Sequence, residues 1–324
     1  AAGNGSVTGA VADTAAALAT TQNVTLTGAT SVTAVISSAN DLVSVQLDTE
    51  VTAIDIGTNS VTNVLLDIED LNNGNNANRT ISNTGGGGSY KIKDTATILA
   101  ANDSFLEGQT VIINDSSTAA TTSELNTIQA GIAANNAQGG GVTYTKLTGT
   151  ATSLAANTAD IIAGVAVTID ESGNNTPAST TEINSLQTAV SNAGNGATLT
   201  YTKVRDGQQN LRANTADLEG KTVIVTDTSN ATQFAAILTA ATANSASGTV
   251  AGAVADAGSA LTAVDFPNAT SITATISNAN DLTAVTLDSD VTDINLNSVA
   301  DVLLDINDLT GRTITANGGS YKVK

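Results

Sequence analysis

The chain has 324 residues, 30 of them acidic and 11 basic, giving a formal net charge of -19, and it contains no Cys, His, Met or Trp. Without His and Cys it lacks the commonest general base, the usual nucleophilic thiol and the usual transition-metal ligands, which disfavours most enzyme classes. Its charge argues against a nucleic-acid partner, since counterion release needs clustered Lys and Arg, and it repels anionic membranes.

With no Cys there are no disulfides, so stability rests on burying Val, Ile and Leu over a long core. No window approaches the run of about 18 apolar residues that a membrane span requires, and no charged-then-apolar signal segment opens the chain. The reading is a protein that does not insert into membranes.

Self-similarity sets the order of elements. Residues 1–88 carry the apolar runs VTL, SVTAVIS, LVSVQLD, VTAIDIG, VTNVLLD and RTIS, separated by Asn, Asp, Gly and Ser. Their close spacing leaves no room for crossover helices and predicts an all-β block, either a parallel β-helix coil or an antiparallel sandwich. Thr, Asn and Asp at fixed repeat positions favour the β-helix. The GGGG at 85–88 is a flexible turn and not a phosphate loop, because no GK[ST] follows it and a strand comes next.

Three shorter units follow, at residues 89–141, 142–197 and 198–248. They open with SYKIKDTATILAAN, TYTKLTGTATSLAAN and TYTKVRDGQQNLRAN and continue through the strand-like runs TVIIND, VAVTIDE and TVIVTD. Each ends in a stretch of helical spacing behind a capping box: Thr121 with Glu124, Ser179 with Glu182, and Asn230 with Gln233. Leu125, Ile183 and Phe234 occupy the equivalent core position behind these caps. Alternation of strand and helix implies parallel strands with right-handed crossovers. Tyr90, Tyr144, Tyr201 and Tyr321 share one repeat position and read as wedges between coils.

Residues 249–324 repeat the first block. ATSVTAVISSANDLVSVQLDTEVTAID at 29–55 returns as ATSITATISNANDLTAVTLDSDVTDIN at 269–295, and RTI and GGSYKIK return as RTI and GGSYKVK. Insertions between the copies fall in turn-forming segments and not within apolar runs, as a solenoid requires. The expected fold is therefore a β-rich repeat or solenoid protein, with parallel β-helix-like blocks flanking α/β strand–helix repeats. GGSYKVK closes the chain where GGSYKIK runs on, so the expectation is either a longer protein or end-to-end packing of copies.

Acidic residues recur at strand ends: Asp48 and Glu50 match Asp288 and Asp290, Asp67 and Asp70 match Asp305 and Asp308, and Asp41 matches Asp281. Oxygen ligands at stacked turns make these candidate Ca²⁺ ligands, although no EF-hand loop or calcium β-roll nonapeptide is present. The bland alternative is a set of solvated turn and cap residues. Paired carboxylates also serve glycoside hydrolysis, but here they recur in both copies as structural positions do, and no aromatic cluster is available to stack a sugar. A regular Thr-x-Thr ice-binding ladder is absent. Asn-x-Ser/Thr sequons occur at Asn23, Asn78 and Asn268.

The segments DTATILAAN, TATSLAANTADI and NLRANTADL resemble the very long repetitive cell-surface proteins of bacteria, of S-layer, fibril or giant-adhesin type, found particularly in marine cyanobacteria. The resemblance covers residues 89–248 and implies an extracellular location and a structural or attachment role, with no catalytic residues carried over. The expected function is a self-stacking surface filament, sheath or S-layer-like assembly whose partners are copies of itself or further repeats. The alternatives are an adhesin module that binds surface glycans, with or without Ca²⁺, and more remotely a polysaccharide-acting β-helix enzyme.

Overall fold

The structure, a computed structural model, describes residues 9–22, 26, 28–72, 78–136, 139–173 and 176–324. It is a mixed α/β protein with several parallel sheets. Its contacts group into two units, residues 1–148 with 164–167 and residues 149–163 with 168–324, and the division falls within the second strand–helix repeat.

The first unit contains β1 (Gly9–Thr14), β2 (Ala29–Val35), β3 (Ala53–Asp55), β4 (Val64–Leu66), β5 (Thr80–Ser82), β6 (Tyr90–Asp94), β7 (Thr110–Ile113), β8 (Ala120–Thr121), β9 (Gly141–Thr143) and most of β10 (Lys146–Gly149). One sheet has the order β1-β2-β3-β5 and another β4-β6-β7-β9, and their ladders are parallel throughout. Register brings like residues together: Ala34 lies opposite Ile54, and Ile54 opposite Ile81. Side chains alternate across each strand, so Val32, Ala34, Val111 and Ile113 are buried while their neighbours face outward. Each such Val or Ile contributes about 1.5–3 kcal/mol of transfer free energy.

The second unit contains β12 (Thr198–Thr200) through β20, after β11 (Ala166–Ile169), which spans the division. Of these, β13 (Lys203–Asp206), β14 (Thr222–Val225), β15 (Thr249–Ala257), β16 (Ala269–Thr275), β17 (Asp293–Asn295) and β19 (Thr313–Thr315) form a six-stranded parallel sheet. A second pair joins β18 (Val302–Leu304) to β20 (Tyr321–Val323), also in parallel. Matching sequence gives matching register here. Ala274, Ile294 and Ile314 align as Ala34, Ile54 and Ile81 do, and both β1 and β15 shift register at the Gly-Ala step. The long blocks are thus parallel, and the antiparallel sandwich considered from sequence is ruled out.

The described residues also form seven short 3-10 helices and eight α-helices, the latter α1 (Ile68–Leu71), α2 (Ala96–Ala101), α3 (Thr122–Ile132), α4 (Ala151–Ala156), α5 (Thr180–Ala193), α6 (Gln208–Ala213), α7 (Ala231–Ala241) and α8 (Ile306–Leu309). The three expected capping boxes form at α3, α5 and α7, with each cap side chain and its partner exchanging bonds with the other's backbone N–H. Behind them Leu125, Ile183 and Phe234 are fully buried.

Several expectations are corrected. LVSVQLD is not a strand: residues 41–44 form turns held by i to i−3 bonds such as Val43 N–H to Asn40 O, and only an isolated bridge pairs Leu47 with Ala19. Its alternating pattern misleads because the buried pair, Leu42 and Leu47, stands five residues apart while Val43 is exposed. The blocks are also not purely β, since α1 and α8 sit within them. The opening AAN segments contain a further helix each, α2, α4 and α6, which the strand–helix alternation did not anticipate.

The tyrosines divide into two positions. Tyr90 and Tyr321 open β6 and β20, whereas Tyr144 and Tyr201 fall just after β9 and β12. The Tyr201 hydroxyl donates to Asp217 O at 3.2 Å, and the Lys221 ammonium lies 4.5 Å above its ring. Gly85, Gly86 and Gly87 have φ of 100°, 78° and 86°, so the GGGG segment is the expected turn and its conformation requires glycine. Asn78 and Asn268 are exposed, while Asn23 and most of the expected VTL strand lie outside the described residues.

Candidate functional site

The acidic candidates resolve into turn and cap acceptors. Asp48 Oδ1 accepts from Glu50 N–H at 3.0 Å, and Glu50 Oε2 accepts from Leu26 N–H at 2.5 Å. In the second block Asp288 accepts from the N–H groups of Asp290 and Val264. Asp67 and Asp305 are the N-caps of α1 and α8, and each exchanges bonds with the residue three ahead, Asp70 or Asp308. Asp41 and Asp281 each gather the N–H and hydroxyl of the serine four residues back. Although burial works against it, these bonds from Ser37 and Ser38 hold the Asp41 carboxyl below its ordinary range.

Among the described residues no group of three or more acidic side chains is arranged to hold a metal ion. Of the eight carboxylates read from sequence as candidate Ca²⁺ ligands, seven accept a backbone N–H: Asp48, Glu50, Asp67, Asp70, Asp288, Asp305 and Asp308. Beside the first set lies a cleft of about 230 Å³ lined by Val43, Gln46, Asp67, Glu69 and Asp70, among others.

Close to that cleft is a residue whose role the sequence does not announce. The buried Arg79 guanidinium donates to six carbonyls: Val51 O at 3.1 Å, Leu47 O at 3.3 Å, Asp48 O at 3.0 Å, Glu69 O at 2.6 Å, Asp70 O at 3.1 Å and Asn72 O at 3.4 Å. It thereby ties the turn at 47–51 to helix α1. Arg312 repeats this in the second block with Val291, Leu287, Asp288 and Asn307. The signal was available as the RTI that returns in both copies of a chain with few basic residues.

Asp70, packed near this cation, is itself buried. Burial first, and then the neighbouring Asp67 charge, push its carboxyl up to about 7, with Arg79 opposing. Because the folded value lies above the ordinary one, the protonated form stabilises the fold. That contribution is complete below about pH 4 and is lost as pH rises toward 7. Asp70→Asn keeps an acceptor for Asp67 N–H but cannot ionise. It should leave the urea midpoint nearly unchanged below about pH 4 and stabilise by about 1–3 kcal/mol at pH 8. An equal mutant-minus-wild-type difference at both pH values would refute this.

A second recurrent device bridges adjacent segments. Asp94, Asp206 and Asp256 each give one oxygen to the N–H of the next residue, Thr95, Gly207 or Ala257. The other oxygen takes the first N–H of a helix some 25 residues earlier: Ile68 at 3.4 Å, Thr180 at 3.2 Å and Ala231 at 3.1 Å. Asp115 and Glu171 similarly accept from both Thr145 and Lys146 and from both Thr202 and Lys203. In the AAN motifs Asn102, Asn157 and Asn214 are C-caps whose side-chain amides donate to Ile98 O, Ser153 O and Asn210 O. Helix ends leave carbonyls without partners, which explains Asn at this recurrent place.

No helix among the described residues is long and apolar enough to cross a membrane. Compared with protein-family models, with curated proteins and with solved structures, the chain matches none.

Proposed function

We propose that the chain is an extracellular structural repeat protein, a solenoid whose β-helix-like blocks flank strand–helix layers and which stacks or polymerises into a cell-surface filament, sheath or S-layer-like assembly. The observation that carries this reading is the bridging carboxylate set Asp94, Asp206 and Asp256. A single side chain that bonds its own strand end and the helix start of the preceding layer makes separation of layers break charged hydrogen bonds, each worth about 1.5–3 kcal/mol. Such bonding recurring along the chain suits a load-bearing element.

The similarity of the AAN segments to giant bacterial surface proteins supports the same reading. So does composition, since high salt outside a marine cell screens the repulsion of a net charge of -19. Light scattering and electron microscopy of the purified chain, at rising concentration and in low and high salt, test the proposal. Filaments or sheets of regular repeat, favoured by salt, are the expected result. Monodisperse single chains under every condition would defeat self-assembly.

A further inference from the structure

We infer that the face formed by α8 and β20 is a docking surface for a polypeptide segment patterned like residues 94–113, an inference that rests on the stacked-layer reading. The chain carries this face twice. In the first block it consists of β4, α1 and β6, and in the second of β18, α8 and β20, with Ile68 matched by Ile306 and Ile92 by Val323. The inner sides of the two agree. Val64, Leu66 and Asp70 are buried, and so are Val302, Leu304 and Asp308.

The outer sides differ sharply. Ile92 is 0% exposed and Ile68 5%, whereas Val323 is 58% exposed and Ile306 66%. The segment C-terminal to the first face accounts for the difference. There β7 pairs with β6, setting Ile92 opposite Val111 and Lys93 opposite Ile112, and Asp94 accepts from Ile68 N–H. Among the described residues β20 pairs with β18 alone, so its other edge offers backbone groups to an incoming strand.

The covered copy defines the chemistry of the occupant. It begins with Asp to accept from the start of α8, continues with a Thr-capped helix that buries a leucine like Leu99 and then a further buried leucine like Leu106, and supplies an apolar strand like Val111–Ile113 to pair with β20 from Val323. A second copy presenting β1 fits less well. The matching strand of the second block, β15, is covered on that side by β14 of a strand–helix repeat, with Val223 opposite Val250.

The test extends the full chain beyond Lys324 with a second copy of its own residues 94–133, beside a control carrying the same residues in shuffled order. Hydrogen exchange of the β20 amides is expected to slow at least about tenfold in the extended protein only. Val323→Lys, at a position exposed without the extension, should restore fast exchange. Unchanged β20 exchange, or equal slowing by the shuffled sequence, overturns the inference, as does concentration-dependent slowing in the unextended chain, which would assign the face to a second copy. The β6 amides serve as an internal gauge: fast exchange there defeats the stacked-layer reading itself, whereas slow β6 with unchanged β20 defeats docking alone.

Discussion

Replacing Arg79 with Met is expected to destabilise the first unit by about 3–5 kcal/mol, the cost of breaking a buried charged network from one side. Met keeps much of the apolar stem but removes every donor, leaving the carbonyls of Leu47, Asp48, Val51, Glu69, Asp70 and Asn72 to seek water from a crowded interior. Each unpaired buried carbonyl costs about 1–3 kcal/mol, although relaxation and water entry recover part of the total. Arg79→Lys should rescue little. A compact ammonium cannot reach both the 47–51 turn and the end of α1, which the planar guanidinium spans. The same change at the more exposed Arg312, with four such bonds, should cost less. Urea denaturation followed by hydrogen exchange at β3 to β5 would measure this, and an Arg79→Met loss below about 1 kcal/mol would show that the carbonyl cluster is held by other means.

Phe234→Ala in the second unit should cost about 3–5 kcal/mol, as truncation of a fully buried aromatic ring does. Phe234 fills the place that Leu125 and Ile183 take in the other two repeats, but there its ring also meets Phe266, with centroids 4.9 Å apart and planes tilted by 58°. Phe266 belongs to the second long block, so this contact joins the last strand–helix repeat to that block. Phe234→Leu, which restores the residue found in the first repeat, should lose only about 1 kcal/mol. A double-mutant cycle with Phe266→Leu should give a coupling of about 0.5–1.5 kcal/mol. Thermal melts that show the Ala and Leu variants equally stable would contradict this expectation, because the cavity and not the ring contact is the larger effect.

Much of this molecule was legible one segment at a time. Capping boxes at Thr121, Ser179 and Asn230, and the buried residues behind them, depend on bonds three residues apart and so are written in the local sequence. The duplicated blocks were equally plain, since apolar side chains that must keep one register recur in order, and their parallel pairing followed from stacking like on like. The AAN caps were visible as a repeated motif without a stated role. By contrast, the partners of Arg79 lie up to 32 residues away, and the rise of the Asp70 carboxyl comes from burial that only assembly of the turn, α1 and the arginine creates. LVSVQLD failed for the same reason. Alternation names two faces, but which of them meets a core is decided by what packs there, and at residues 42–47 the chain turns so that Leu42 and Leu47 are covered and Val43 is not. Local hydrogen bonds and periodicity were thus settled by the sequence alone, whereas burial, and every charge effect that burial produces, belongs to the tertiary structure because water is excluded only by distant segments acting together.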